Sequence, residues 1–337
     1  MIGLAMPDEW TSETLLELAR TYQAACVLLA AAELGLFSAL ATEPLSAERI
    51  AIALDADQRA TRILADALTA LGLLEKRADT YAPAPGIART LTCDASATVL
   101  PMLRHQANCL RSWAELAATV KTGRPPEVDP SIQGTEADGV AFIEAMEVAS
   151  RHAATKVVAS LPTLTFKHLL DIGAGPATWT MAFLRAAPEA RATIYDLPHV
   201  IPLSRRHVEA AGLGDRVDFV AGDFYTDSAL PAGADLAWVS AIVHQNSRDE
   251  NRALFAKVHA ALIPGGEIMV RDMVMDDTHT QPPAGAMFAI NMLVRTEAGG
   301  TFSLTELRED LREAGFGEPS LIRGDRDMDS VLRAPKL

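Results

Sequence analysis

Hydrophobic and polar positions along the chain change rhythm near its middle. Up to about residue 150 apolar residues recur at helical spacing; beyond residue 168 short apolar runs alternate with helical segments. Ser12 and Glu13 open an Ala- and Leu-rich segment that runs to Ala32. Its apolar character extends nearly all round, from Leu15 and Leu18 through Cys26, Val27 and Leu28. Such a helix must be covered on more than one side, which in a small N-terminal domain favours a partner chain. Ser46 is placed to cap a helix over 47–54. A second helix fits 57–71, with Ile63, Leu64, Ala67, Leu68 and Leu71 on one face and Gly72 as its stop. Leu73 to Tyr81 predicts a two-stranded wing. Ala95 to Val120 reads as another helix, Gly123 to Pro130 as a turn-rich linker, and helical periodicity resumes at Phe142, Met146 and Ala149.

The second half predicts strands near 168–173, 192–196, 217–221, 235–240, 267–272, 319–323 and 330–334. Helices fall near 177–187, 200–212, 249–262 and 304–314. Strands alternating with helices are the mark of a mostly parallel, doubly wound sheet. The expected fold is therefore α/β: a Rossmann-like sheet behind a mostly helical, winged-helix-like N-terminal domain. The divisions fall at 1–100 for the winged-helix-like dimerisation domain, 101–160 for a helical linker and 161–337 for the cofactor domain.

Composition narrows the function. The chain has 337 residues, enough for a substantial core, and a formal net charge of −14. Phosphate backbones and anionic membrane surfaces repel such a protein. The helix that would read DNA in a winged-helix domain carries only Arg59 and Arg62, so dimerisation is the better use of that domain. No nucleic acid and no membrane are expected as partners. The longest apolar run, near Ala24 to Ala32, is too short to cross a bilayer, and Met1 to Trp10 has no basic leader region. Cys26, Cys93 and Cys109 are odd in number and widely spaced, which suits reduced thiols in the cytoplasm.

The sharpest motif is His168-Leu-Leu-Asp-Ile-Gly-Ala-Gly175, an apolar strand running into Gly-x-Gly and then into a helix. Glycines there let the backbone turn tightly beside a ligand. About twenty residues on, the second strand ends in Asp196, where a carboxylate can accept two ribose hydroxyls. The third strand ends in Ala221-Gly-Asp223-Phe224; Asp223 can accept from an adenine amino group and Phe224 can stack on the ring. A dinucleotide domain does not call for this second acid. Position 178 is Thr where a dinucleotide fingerprint has Gly, so NAD is the weaker choice.

These residues resemble the class I methyltransferases. Within them the chain is similar to the plant and bacterial small-molecule O-methyltransferases that carry a winged-helix dimerisation domain, relatives of caffeic acid and hydroxyneurosporene methyltransferases. The resemblance rests on Leu170-Asp-Ile-Gly-Ala-Gly175, Tyr195-Asp-Leu-Pro-His-Val200, Gly222-Asp-Phe224, Ala241-Ile-Val-His244, Leu262-Ile-Pro-Gly-Gly266 and Glu313-Ala-Gly-Phe316. It implies S-adenosylmethionine as cofactor, a small-molecule acceptor and a homodimer. It also implies that Gly173 and Gly175 line the methionine part of the cofactor, that Asp196 holds the ribose and Asp223 and Phe224 the adenine, and that Asp171, Ala174 and Leu197 belong to the same cofactor site. Ser240 stands where the family often has a lysine, and Ser150 matches a family serine near the cofactor's amino-acid end.

For the chemistry, the resemblance makes His244 the general base. A phenol is mostly protonated at neutral pH, and histidine is suited to remove that proton. His244 follows an apolar strand, so it sits at a carboxyl end, where ligands bind in such sheets. The chain departs from the family beside it. Gln245 replaces the usual Asp, Asp272 fills the slot of one flanking glutamate, and the second slot falls near Thr301 and Phe302; Glu297 is out of register. Asp272 is thus expected to orient the imidazole alone. Met146, Phe142, Met287, Asn291, Met292 and Arg295 are the acceptor-facing candidates, and Trp179 and Trp238 read as core. Asp325-x-Asp327-x-Asp329 lacks the glycine and distal glutamate of a calcium loop and reads as a solvated turn; Asp276 and Asp277 read as surface. No metal is expected. Methyl transfer to nitrogen or carbon, or cofactor binding with altered or lost chemistry, stays open beside O-methyl transfer.

Overall fold

The computed structural model describes residues 9–92, 97–162 and 165–337. Cys93, residues 1–8 and the first two residues of the helix expected from Ala95 lie outside the described residues. The chain divides into two compact units. One holds Met1–Arg111 and Val128–Val148, the other Ser112–Glu127 and Ala149–Leu337. The stretch 101–160 is thereby shared between them.

The first unit opens with two helices, Ser12–Arg20 and Tyr22–Leu34. The single helix expected up to Ala32 is broken at Thr21, whose hydroxyl and amide both bond Leu18 O. Taken together, Ser12–Leu34 is long and apolar enough to cross a bilayer by length and composition. That corrects the expectation drawn from Ala24–Ala32 alone. Leu15, Leu16, Leu18 and Tyr22 are exposed. Ser46 and Asp57 cap the helices Ala47–Leu54 and Gln58–Ala70 through the amides of Arg49 and Ala60. The wing is a three-stranded antiparallel sheet in which Thr80–Pro83 lies between Leu45–Ser46 and Leu74–Arg77. Leu36, Phe37, Ile50, Leu68 and Tyr81 form its core. The helix expected over 95–120 is two helices, Leu100–Ala114 and Leu116–Thr122, parted at Glu115.

The second unit is built on a seven-stranded sheet. In chain order its strands are β1 (His168–Ile172), β2 (Arg191–Asp196), β3 (Val217–Ala221), β4 (Ala234–Ser240), β5 (Leu262–Asp272), β6 (Ser320–Arg323) and β7 (Ser330–Pro335). They lie side by side in the order β6-β7-β5-β4-β1-β2-β3. The five strands β1 to β5 are parallel, whereas β7 runs antiparallel to both β5 and β6. Helices α1 (Ala153–Ser160), α2 (Thr178–Ala186), α3 (Ile201–Ala210), α4 (Arg248–Ala261), α5 (Pro283–Leu293) and α6 (Leu304–Glu313) belong to the same unit. Two apolar clusters pack on opposite faces of the sheet. Leu170, Ile172, Val239, Val270 and Phe255 build one; Leu169, Ile194, Trp238, Phe183 and Met269 build the other. This double burial is why the central strands are continuous apolar runs rather than alternating ones. Each fully buried side chain of this size contributes about 1.5–3 kcal/mol by leaving water. Strand order reverses between β1 and β4, and a crevice opens at such a point beyond the carboxyl ends of the strands.

Candidate active site

The residues singled out in the cofactor motif converge at that crevice. Gly173 and Gly175 both adopt positive φ, +67° and +53°, a region that costs any side-chain-bearing residue. A Cβ on Gly173 would lie 2.5 Å from Ile242 Cδ1, whereas one on Gly175 would meet nothing within 4 Å. The first glycine therefore lets the turn pack against the segment that follows β4. The second faces open space.

Asp196 ends β2 and fixes this turn. Its carboxylate accepts the Gly175 amide at 2.7 Å and the Leu197 amide at 2.7 Å. Burial raises its pKa, against those two amides, which lower it. Asp171 lies beneath. It is 1 % exposed, accepts the Thr180 hydroxyl, and burial pushes its pKa up to about 7. It thus braces the glycine turn against α2, and Ala174 is likewise buried. Leu197 is exposed. Beyond β3, Asp223 accepts the Tyr225 amide at 2.9 Å, and the Phe224 and Tyr225 rings lie 4.5 Å apart. Lys257 of α4 holds this loop by donating to Phe224 O and Asp227 O, both at 2.7 Å.

Ser240, at the tip of β4, accepts from Arg271 Nη1 at 3.0 Å. Arg271 is buried, lies over the Trp179 ring and pairs with Asp329. Asp329 is therefore held by an ion pair, which corrects the reading of that acidic run as a wholly solvated turn. Asp325 is bound by Arg323 and accepts the Asp327 amide. Trp179 and Trp238 are buried in the core. Asp276 is exposed and closes a local turn with Thr278, Thr280 and Gln281. Among the described residues no cluster of His, Cys, Asp or Glu is arranged to hold a metal.

The 3₁₀ turn Val243–Gln245 carries His244 two residues beyond Ile242, and so beside the glycine turn. Its Nδ1 lies 2.9 and 3.0 Å from the two oxygens of Asp272, at the end of β5. Carboxylate oxygens accept from Nδ1–H, so a neutral imidazole in this position carries its hydrogen on Nδ1 and its lone pair on Nε2. Among the described residues Nε2 has no hydrogen-bond partner. Asp272 is 1 % exposed and also accepts the Met273 amide at 2.7 Å. The turn is held from two sides: Asn251 Nδ2 donates to Val243 O at 3.0 Å, and the Gly300 amide to His244 O at 2.9 Å. Thr301 is buried, Phe302 packs into the core, and Glu297 is exposed. No second carboxylate contacts the imidazole among the described residues.

Phe288 of α5 meets the His244 ring edge-on at 4.8 Å. Met287, Asn291 and Met292 stand on the same helix, and Arg295 follows it. Met292 is buried, Asn291 half-buried, and Met287 and Arg295 exposed. Phe142 and Met146 stand on helix Thr135–Ser150 of the first unit, with Phe142 5.2 Å from His105. Ser150, the last residue of that helix, is buried. Sequence reasoning missed Phe288, Trp113, Tyr225 and Asn246. Phe288 is one position from the candidate Met287, and helical spacing from Asn291 and Met292 would have found it. The other three make long-range pairs that leave no periodic trace.

The residues present fit an adenosine bearing a positive sulfur. The charged groups at the strand tips, Asp196 and Asp223, are acceptors for hydroxyl and amino groups, and Gly175 leaves open space beside them. A pyrophosphate would face the like charge of these carboxylates. Comparison with known proteins agrees. An O-methyltransferase domain profile matches residues 113–317 and an O-methyltransferase dimerisation domain profile residues 16–94. The 3-hydroxy-5-methyl-1-naphthoate 3-O-methyltransferase of Streptomyces sahachiroi is 32 % identical over 95 % of this chain and 94 % of its own. The tetracenomycin polyketide synthesis 8-O-methyl transferase TcmO of Streptomyces glaucescens is 30 % identical over 90 % of each. The structure of PigF with SAH superposes with a TM-score of 0.85 at 25 % identity, covering 97 % of this chain and 100 % of that one. With profile matches over both units, the chain belongs to the O-methyltransferase family and is an S-adenosylmethionine-dependent methyltransferase with a dimerisation domain.

Proposed function

We propose that this enzyme methylates a hydroxyl on a small aromatic or polyketide-like molecule, with His244 as the general base. The observation that carries the reading is the pairing of His244 Nδ1 with Asp272, which leaves Nε2 with no hydrogen-bond partner among the described residues. The two Streptomyces relatives named above are both O-methyltransferases, one named for a hydroxynaphthoate and the other for a polyketide.

In this reading Asp196 accepts the ribose hydroxyls with the lone pairs its two amide partners leave free, and Asp223 and Phe224 hold the adenine. Gly173, Gly175 and Ser150 line the amino-acid end, over the brace of Asp171. Ser240 takes part only through its hydroxyl, which Arg271 already engages. When bound, S-adenosylmethionine supplies an electrophilic methyl group on a positively charged sulfur. The protein's task is to place an oxygen and remove its proton. His244 Nε2 takes the phenol proton, leaving the oxygen as nucleophile, and Asp272 stabilises the imidazolium that forms. Phe288 shields the imidazole edge and supplies a flat apolar wall.

The chain is further proposed to work as a homodimer in the cytoplasm. The dimerisation-domain match and the exposed Leu15, Leu16, Leu18 and Tyr22 support the dimer. Cys26 and Cys109 are in no disulfide, as suits a reducing compartment. Light scattering should give twice 36.0 kDa; a stable monomer would contradict the dimer.

Transfer of labelled methyl from S-adenosylmethionine to a panel of phenols tests the activity. Fragmentation of the product is expected to place the label on oxygen. Label on carbon or nitrogen, or no transfer to any phenol, would contradict the reading.

A further inference from the structure

The glycine turn is held in a shape that its own residues do not all favour. Gly173, Gly175 and Ala177 have positive φ, +67°, +53° and +62°. Glycine adopts that region freely, whereas an alanine is strained there and keeps it only where the surroundings fix it. Ala177 is fully buried and stands as the N-cap of α2.

The fixing comes from the segment that follows β2. Asp196, the last residue of β2, accepts the Gly175 amide at 2.7 Å. On α3 the Ser204 hydroxyl donates to Gly175 O at 2.6 Å. The same hydroxyl is 3.3 Å from Val200 O, so the shorter contact holds its single hydrogen. His207 Nδ1 lies 3.1 Å from Pro176 O; a carbonyl only accepts, so Nδ1 carries the hydrogen and donates. Ser204 and His207 are three positions apart and share one face of α3. Ser204 is 0 % exposed and His207 half-buried. The Ala177 amide closes the turn on Ala174 O at 2.9 Å. Two successive carbonyls are thus tied to α3, and neither peptide plane beside Pro176 can rotate without breaking a hydrogen bond.

We propose that Ser204 and His207 are positioning residues that hold Gly173 to Ala177 in the shape that receives the amino-acid end of S-adenosylmethionine. They act through the backbone of the turn and do not touch the cofactor. The inference rests on the placement of that end at Gly173 and Gly175 made above. Without the clamp the turn spends part of its time in shapes that do not bind, and apparent affinity falls by the competent fraction. Losing one net hydrogen bond shifts such an equilibrium roughly 3- to 10-fold.

Calorimetry on the full-length protein tests this with two probes, S-adenosylhomocysteine and 5′-methylthioadenosine. They share the adenosine and the sulfur and differ in the amino-acid chain. Ser204→Ala and His207→Leu should each weaken S-adenosylhomocysteine roughly 3- to 10-fold and leave methylthioadenosine within about twofold. The double variant should be weaker than either single one. His207→Asn, whose Nδ2 offers a donor at the same position on the side chain, should recover most of the parental affinity. A merely structural role for α3 would weaken both probes alike and leave their ratio unchanged. Equal losses for the two probes, or parental S-adenosylhomocysteine affinity in both single variants, would overturn the proposal. The parent protein tests the underlying placement separately. If it bound methylthioadenosine as tightly as S-adenosylhomocysteine, the amino-acid end would not be held at the turn; if it preferred S-adenosylhomocysteine and the variants kept that preference, the clamp alone would fail.

Discussion

Asp272 holds the imidazole of His244 through both carboxylate oxygens, 2.9 and 3.0 Å from Nδ1, at the carboxyl end of β5. Among the described residues no second carboxylate contacts the ring, and Thr301 and Phe302 fall near the position where the related pattern has one. Asp272→Asn keeps the shape but loses the charge that stabilises the protonated ring. Turnover should fall about 10²-fold, while S-adenosylhomocysteine affinity changes little. Steady-state rates with calorimetry check this; a variant with parental kcat would show that the pairing is not used.

The two glycines of the turn should fail differently. Gly173→Ala puts a methyl group 2.5 Å from Ile242 Cδ1 in a left-handed conformation. It should lower stability by about 1–3 kcal/mol. Gly175→Ala meets no protein atom within 4 Å, so it should bear mainly the left-handed backbone cost, ~1 kcal/mol, and lose cofactor affinity instead. Thermal melts with and without S-adenosylhomocysteine separate the two; equal cofactor stabilisation of Gly175→Ala and parent would contradict the assignment of that space.

Asp171 makes stability depend on pH. Burial pushes its pKa from 3.8 up to about 7, so the folded chain holds this proton more tightly than the unfolded one. Its contribution is complete below about pH 4 and is lost as pH rises through 7, by an amount on the order of a few kcal/mol. Asp171→Asn can still accept from Thr180 and has nothing to ionise. Its melting temperature should gain on the parent's between pH 5 and pH 8. Parallel curves across that window would show that Asp171 does not titrate there.

How much of this was legible beforehand follows from the physics of each element. The strands of the parallel sheet were readable because both faces are buried, so each is an apolar run closed by glycine, proline or aspartate. The places of His244 and Asp196 at carboxyl ends of strands were readable because Asp196 closes one such run and His244 lies four residues beyond another. The breaks at Thr21 and Glu115 were not, since neither residue interrupts helical periodicity. Trp113 and Asn291 are 178 positions apart, and Arg271 with Asp329 likewise meets only once the sheet is assembled. Pairs of that kind depend on topology and leave no local pattern.

Tyr225, next to Asp223 and Phe224, is linked to the His244 turn by a chain of hydrogen bonds. Its hydroxyl bonds Asn246 Oδ1, Asn246 Nδ2 donates to Asn251 Oδ1 at 3.0 Å, and Asn251 Nδ2 donates to Val243 O at 3.0 Å. Asn246 and Asn251 are 1 % and 0 % exposed. Tyr225→Phe strips one bond from a buried amide, at a cost of about 1–3 kcal/mol. It should lower kcat several-fold through a looser His244 turn. Paired melting and rate measurements test the link; a destabilised variant with unchanged kcat would assign the chain to stability alone.

The central claim, that His244 takes the proton from the acceptor hydroxyl, is tested most directly by His244→Ala. Single-turnover methyl transfer to a phenol should be followed at saturating S-adenosylmethionine, with cofactor affinity measured on the same preparation. A fall of ~10²–10⁴-fold in rate with cofactor affinity intact is the expected result. Methyl transfer at the parental rate would contradict it.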